Sequence, residues 1–165
     1  MESSSNNSNP IEGLRVTIKQ TSKSPLTITS TVINDNNHVV TILQYNSPLD
    51  TAAPTIGLLT ITPDGSSSPL ALPELQLRRE WPPSPESLTQ LDPGASQTAE
   101  IVLGDFITAQ IKDKASVVLK GHWDMVWSKK KDSITMDMIE QAQLQPNPDM
   151  FTGSFSTKSL EISTA

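Results

Sequence analysis

The sequence predicts an all-β fold, an antiparallel β-sandwich of about eight strands with one short helix inserted before the last strand. Three observations indicate this. Short segments rich in β-branched residues alternate apolar and polar side chains, as strands with one solvated face do. Proline, glycine and asparagine turn signals separate these segments at short intervals. A helical period occurs only between residues 125 and 150. A single sheet closed on itself remains the alternative arrangement.

Length and charge bound the domain count and the class of partner. With 165 residues, 35% of them hydrophobic, the chain is expected to form one domain at residues 13–165, after a disordered polar tail at residues 1–12. The helical insertion is expected at about residues 125–150. A formal net charge of -6 would repel a nucleic-acid backbone. The chain has no cysteine, which excludes disulfides and thiolate metal sites, and no apolar run of membrane-spanning length is found.

In chain order, the predicted strands lie at residues 14–19, 26–33, 39–45, 56–62, 72–80, 98–103, 115–124 and 151–163, with a short extra pairing at residues 88–91. The first strand alternates strictly, and the second has apolar or threonine residues on both faces, which is typical of a central strand. The asparagine-rich turn at residues 34–37 predicts that the second and third strands form a hairpin. In the fifth strand Leu75 and Leu77 alternate with polar residues, and Pro73 at its start restricts it to a sheet edge.

The third and fourth strands flank a corner that organises the first half of the chain. Tyr45, Asn46 and Asp50 in this corner have side chains that can bond to nearby backbone and hold a turn. Further on, the loop at residues 81–85 is rich in proline and is predicted to be extended at the surface. We therefore expect both segments to be irregular but well defined.

The seventh strand has the clearest alternation. It places Val117, Leu119 and Trp123 on one face and His122 and Asp124 on the other. After it the period becomes helical, and a helix is predicted at about residues 135–143. Ser133 or Thr135 can cap its start, and Pro146 and Pro148 end it. Its apolar residues at helical spacing are Ile134, Met138, Ile139 and Ala142. The last strand changes face or contains a bulge near Lys158.

Two phrases carry a resemblance to a known family. The turn Leu91-Asp92-Pro93-Gly94-Ala95-Ser96 and the corner Tyr45-Asn46-Ser47-Pro48-Leu49-Asp50, together with the strand order, resemble the immunoglobulin-like β-sandwich in the propeptides of fungal deuterolysin-type metallopeptidases. The resemblance covers residues 14–103. Small fungal proteins of unassigned function have phrases similar to residues 48–50, 57–63 and 120–123. The resemblance implies an immunoglobulin-like fold that assists folding or binds protein. Because the chain lacks a His-Glu-x-x-His motif, it implies no catalysis.

Three residues are candidates for proton transfer. His122 and Asp124 share a predicted strand face, and His38 is the other histidine of the chain. Imidazole is the usual proton carrier near neutral pH, but no metal-ligand spacing is present, so neither a metal nor a cofactor is predicted. If strands two, three, seven and eight correspond to strands B, C, F and G of an immunoglobulin-like sandwich, the loop with His38 and the excursion after Asp124 lie at the same end. A solvent-exposed His122 is the simpler interpretation.

Four further residues are candidates for ligand or partner contact. Trp123 and Trp127 are expected on one face, where they either stack on a ligand ring or, as we favour, fill the core under the helix with Met138. Trp81, in its proline-rich loop, either anchors a partner or covers the edge of the sandwich. These alternatives differ in whether a pocket is present.

Two functions remain open. The first is a non-catalytic module that binds another protein, or a second copy of itself, through a sheet edge or a loop end. The second is a cofactor-independent isomerase, cyclase or lyase that acts on an apolar metabolite in a pocket lined by Trp123, Trp127 and Met138. A filled core with an exposed apolar edge favours the module, whereas an enclosed pocket favours the enzyme. The first residues lack an apolar signal region, so the expected location is cytoplasmic, although a truncated secreted protein would look the same.

Overall fold

The computed structural model describes residues 9–75, 77–145 and 149–164. Within these ranges there are nine strands: β1 (Leu14–Lys23), β2 (Leu26–Asn34), β3 (Val40–Leu43), β4 (Leu59–Pro63), β5 (Leu88–Leu91), β6 (Ser96–Val102), β7 (Lys114–Trp127), β8 (Met150–Ser156) and β9 (Leu160–Ser163). Two α-helices are α1 (Asp105–Thr108) and α2 (Met136–Leu144), and short 3-10 turns lie at Pro10–Gly13, Pro85–Ser87 and Lys131–Ser133. No helix in the described ranges is both long and apolar enough to cross a membrane.

The strands form two antiparallel sheets that enclose the main core. The first sheet has the order β1-β2-β6. The long strand β7 is the centre of the second sheet: β4 and β9 pair with its first half, β8 and β3 with its second half, and β5 continues beyond β3. Between the sheets lie side chains from both of them, including Ile28, Val32, Ile42, Val117 and Leu119. The predicted all-β sandwich is therefore confirmed.

A bulge in β7 reverses the direction of its side chains. Trp123 pairs with Gly153 of β8, but the next pair joins Val126 to Phe151, so β7 contains one extra residue. One inserted residue exchanges the two faces of a strand. Trp123 and Val126 consequently belong to the main core, whereas Trp127 belongs to a second cluster. The prediction that Trp123 and Trp127 share one face is wrong for this reason.

The second cluster lies under helix α2. Its buried members are Leu43, Leu88, Met125, Trp127, Ile134 and Ile139, and Met138 packs against them while partly buried. The helix begins as predicted, because the Thr135 hydroxyl accepts a hydrogen bond from Met138 N at 3.1 Å and so satisfies a free amide of the first turn. Its apolar residues thus cover Trp127, and they do not reach the side of β7 on which Trp123 lies.

The predicted hairpin of the second and third strands is not formed. β2 pairs with β1 and β6, whereas β3 pairs with β5 and β7, so the turn at residues 34–37 carries the chain from one sheet to the other. The reason lies in Asn34, whose side chain is buried and donates to the carbonyls of His38 and Leu91, both at 2.9 Å.

Three further boundaries differ from the prediction. The described residues of 72–80 contain no strand. In this segment Leu75 N donates a backbone hydrogen bond to Thr55 O at 2.7 Å. Gln76 lies outside the described residues. The predicted last strand is two strands, β8 and β9. They are separated where Thr157 turns inward and its hydroxyl accepts a hydrogen bond from Leu119 N at 3.1 Å.

The insertion starts later than residue 125, because β7 extends to Trp127. The prolines predicted to end the helix, Pro146 and Pro148, lie outside the described residues.

The N-terminal segment becomes ordered earlier than predicted. Residues 1–8 lie outside the described residues, but Pro10–Gly13 form a 3-10 turn in which Pro10 is buried. Asn9 caps this turn by accepting from Ile11 N at 3.0 Å, and Ile11 packs against the main core. The apolar Pro10 and Ile11 explain why residues 9–12 differ from the predicted tail, since burying them offsets the cost of ordering the chain.

Candidate functional site

The structure separates His38 from the other two residues predicted for proton transfer. His122 is exposed on β7, and Asp124 accepts a hydrogen bond from Asn46 Nδ2 at 2.8 Å. His38 lies before β3, which meets β7 at Val126 and Trp127. At about 3.3 Å per strand residue, His38 is on the order of 20 Å from His122. Within the described residues no group of three or more histidine or acidic side chains is placed to hold a metal.

The aromatic candidates divide between core and surface. Trp123 is 1% exposed and packs against Phe155, with ring centroids 5.4 Å apart. Trp127 is fully buried under α2, and Met138 is partly buried beside it. Trp81 is 37% exposed in its loop. Of the four predicted contact residues, Trp81 is thus the most exposed.

The corner at residues 45–50 is a bonded structural unit. The buried Asp50 carboxylate accepts hydrogen bonds from Asn46 N at 2.8 Å and Ala52 N at 3.0 Å, and it forms an ion pair with Arg79. The Arg79 guanidinium also lies over the Tyr45 ring, 4.8 Å from its centroid. A carboxylate that is already satisfied by several donors stabilises a turn, and this one also holds the segment around Arg79 against the corner.

Replacing Asp50 tests that role. We expect Asp50→Ala to lower the free energy of unfolding by about 2 kcal/mol, because two backbone amides and Arg79 lose their acceptor while Arg79 keeps some contact with water. Urea unfolding measures the loss. The matched control is Asp64→Ala in the exposed turn after β4, which should change stability by less than about 0.5 kcal/mol. Equal losses in the two variants would show that the Asp50 bonds are not stabilising.

An apolar groove lies at the C-terminal end of β6, and we call it the β6 groove. It has a volume of about 350 Å³ and includes among its lining residues Thr51, Pro54, Leu75, Val102, Phe106 and Ile107. Three of these side chains are large, apolar and open to solvent: Leu75 is 55% exposed, Val102 49% and Phe106 65%. Apolar side chains grouped at one place on a surface, unlike scattered ones, mark an interaction site.

Among the residues that the structure describes, no strand pairs with the outer edge of the strand beside this groove. β6 is the last strand of the first sheet and pairs with β2 along its whole length. At the opposite margin of the same sheet, the side chain of Gln20 in β1 exchanges two hydrogen bonds with the backbone of Ser163 in β9, at 2.8 and 2.9 Å. The β1 margin is thus tied to the second sheet. A row of backbone groups on β6 is left for another chain to pair with.

The sequence missed this groove, although part of its signal was visible. Ile101 and Leu103 alternate in the sequence, and this pattern would place Val102 on the opposite face of the strand; Leu75 lies in a run that Pro73 restricts to a sheet margin. What could not be read was that residues 51–55, 72–75 and 102–107 meet. These three segments are distant in the chain, and only the packing of the sandwich brings them together.

Two other clefts are lined by both polar and apolar side chains. One, of about 490 Å³, lies between Lys23 and Thr108, and the other, of about 550 Å³, lies between β1 and residues 156–160. On the rim of the second, Arg15 donates to Asp35 Oδ2 at 2.9 Å, and this hydrogen bond lowers the pKa of the Asp35 carboxyl below its ordinary value. None of the three described clefts has His38, His122 or Asp124 in its lining.

Comparisons with known proteins agree with the sandwich. A family model for an immunoglobulin-like domain matches residues 13–164. A protein of the fungus Arthroderma benhamiae with the name "Uncharacterized secreted protein" is 26% identical over 141 residues, which cover 84% of this chain and 69% of that protein.

This relative corrects the predicted location. The cytoplasmic prediction was inferred from the polar residues at the start of the sequence, and it is contradicted because the relative is named as a secreted protein. The folded part of the chain carries no information on this point, since a cysteine-free sandwich needs neither a reducing nor an oxidising compartment. The fold and the fungal relationship are in agreement with the prediction.

Proposed function

This chain belongs to the immunoglobulin-like domain family, and from that premise we propose that it is a non-catalytic module that binds a protein partner through the β6 groove. The observation that carries the proposal is the position of Leu75, Val102 and Phe106, which are exposed together beside a free strand edge. An extended segment that pairs with β6 would gain backbone hydrogen bonds along the strand. Its alternate side chains would point towards the groove.

The groove and the edge support this function jointly. An edge strand alone pairs with many sequences, and an apolar groove alone accepts many shapes, so neither would select a partner well. Val102 is the last residue of β6 and also lines the groove. A partner strand on β6 is therefore guided to the groove, where burial of its apolar side chains contributes about 25 cal/mol per Å².

The isomerase, cyclase or lyase alternative has no comparable support. Its pocket was expected between Trp123, Trp127 and Met138, but Trp123 and Trp127 belong to different packed clusters on the two sides of β7. Its proton carriers, His38, His122 and Asp124, line none of the described clefts. The binding function therefore explains more of the surface.

Two finer statements belong with this proposal. We propose that the chain acts outside the cell, as the name of its Arthroderma benhamiae relative states for that protein. We also propose that it contacts its partner as a folding or binding accessory, in the manner implied by the resemblance of residues 14–103 to deuterolysin-type propeptides. Both statements are supported by sequence similarity to other proteins. For the second, the β6 groove is the proposed place of contact.

Synthetic octapeptides test the proposed function. Two peptides are used. One has a centre of alternating valine and threonine, the other a centre of alternating leucine and threonine, and both have a glutamine at each end and blocked termini. We expect binding to shift the backbone amide resonances of β6 in a ¹⁵N-labelled sample, because peptide strands pair along that edge. Phe106→Gln should weaken binding about fivefold, which corresponds to about 1 kcal/mol of lost apolar contact.

The matched control is Leu144→Gln. Leu144 lies at the end of α2 and is 86% exposed, so the same kind of change is made at an apolar residue away from the groove. It should leave peptide binding unchanged. If neither peptide shifts the β6 resonances, or if the two variants weaken binding equally, the proposed function is wrong.

A further inference from the structure

The margin of the β6 groove is acidic. Within two residues in sequence of the lining positions, the chain has the carboxylates Asp50, Glu74, Glu100 and Asp105 and no lysine or arginine. Asp50 is buried and paired with Arg79. The other three are exposed, and within the described part of the chain none of them has an ion-pair partner. The groove thus combines an apolar floor with three exposed carboxylates in the segments that build it.

Each of these carboxylates is placed by an element that also builds the groove. Glu74 stands between Pro73 and Leu75, and its side chain lies against Gly57. Asp105 stands between Gly104 and Phe106 of the groove lining, and it also lines the neighbouring cleft together with Lys23. Glu100 precedes Val102 by two residues in β6, so the two side chains share one face of the strand. The three charges therefore belong to the segments that build the groove, namely residues 72–75, β6 and residues 104–107.

Resting on the proposed function, we propose that the partner of the β6 groove is an extended protein segment whose apolar residues are flanked by lysine or arginine. Such flanks meet Glu74, Glu100 and Asp105 while the apolar residues enter the groove. The attraction acts over about a Debye length, so it also steers the segment before contact. A segment with acidic flanks brings like charges together and is rejected.

The same charges argue against a second copy of this chain as the occupant. Two copies that pair edge to edge along β6 around a two-fold axis would each bring an acidic margin to the interface. Each copy also has a net charge of -6, which adds repulsion at longer range. The β6 edge is thus suited to a basic partner and is protected from pairing with itself.

Three peptides with one centre test the inference. They share the alternating valine and threonine centre and end in two lysines, two glutamines or two glutamates on each side. At low ionic strength we expect the lysine peptide to bind about tenfold more tightly than the glutamine peptide, and the glutamate peptide more weakly than both, because several exposed charge pairs add modest contributions. The differences should shrink strongly in about 0.5 M salt, where charges are screened.

A charge-matched pair of variants assigns the effect to the groove. The triple variant Glu74→Gln, Glu100→Gln, Asp105→Asn should bind the lysine peptide and the glutamine peptide with about equal affinity, because the carboxylates that meet the lysines are gone. The control triple variant Glu12→Gln, Asp64→Asn, Asp132→Asn changes three exposed carboxylates elsewhere by the same total charge. It should keep most of the preference, because its carboxylates lie away from the groove.

The outcomes separate this inference from the proposed function. If the three peptides bind equally and remain sensitive to Phe106→Gln, the inference is overturned and the proposed function stands. If no peptide binds, both are overturned. If sedimentation equilibrium shows a dimer that Phe106→Gln dissociates, the occupant is a second copy and the inference is again overturned. A lysine preference that disappears in the groove variant and persists in the control supports it.

Discussion

Replacing Trp123 by alanine is expected to lower the free energy of unfolding by about 3 to 5 kcal/mol, the range for large aromatic side chains truncated in cores. Trp123 is 1% exposed, and its ring packs against Phe155 between the sheets. Gly121 makes room for this contact, because a Cβ at that position would come within 3.1 Å of the Phe155 ring. The backbone cannot close the space that the indole leaves. The loss is measured by urea unfolding followed by circular dichroism.

His122 provides the control, because it precedes Trp123 on the same strand and is exposed. His122→Ala should cost well under about 1 kcal/mol, as is usual for surface substitutions. The backbone environment is nearly the same at the two positions, so the contrast isolates the burial of the side chain. A similar loss of unfolding free energy in both variants would mean that Trp123 is not on the buried face of β7.

Replacing Asn34 by alanine is expected to cost about 3 kcal/mol. The Asn34 amide is buried and donates to the carbonyls of His38, Leu91 and Asp92, and its oxygen accepts from Asn36 N at 3.0 Å. Without the side chain, carbonyls from two separate segments lose their donor, and each buried orphan costs about 1 to 3 kcal/mol. The turn that passes between the sheets would also lose its side-chain hydrogen bonds to Leu91 and Asp92, which lead into the turn between β5 and β6.

The control for this variant is Asn37→Ala in the same turn. Asn37 is exposed, so the substitution should change the free energy of unfolding by less than about 0.5 kcal/mol. Gly13→Ala extends the test to the neighbouring contact, because a Cβ at residue 13 would overlap the Asn36 side chain. We expect it to be destabilising as well. An Asn34→Ala protein as stable as the Asn37 variant would contradict the bonding that we describe.

The elements predicted correctly are those determined by neighbouring residues. The alternation of Val117, Leu119 and Trp123 identifies β7 because side chains in a strand face opposite sides in turn. Thr135 identifies the start of α2 because a hydroxyl at this position bonds to an amide three residues ahead. Both signals are local, and the structure reproduces them.

Two of the predictions that failed required knowledge of contacts between distant segments. The asparagine-rich turn at residues 34–37 indicates a change of direction, but whether it leads to a hairpin or to the other sheet depends on the carbonyl of Leu91. Similarly, the position of Trp127 depends on a bulge opposite β8. No pattern within β7 signals that extra residue, since Asp124 and Met125 are acceptable on either face of a strand.

The sequence by itself determined that this chain is an antiparallel sandwich with one capped helix before its last strands, because side-chain period, turn residues and caps act over a few positions. It also determined that the net charge is -6. Only the tertiary structure decided that β6 is a free edge and that Leu75 and Phe106 meet Val102 there. These facts depend on which strands pair and which loops pack together, and such contacts join residues that are far apart in the chain.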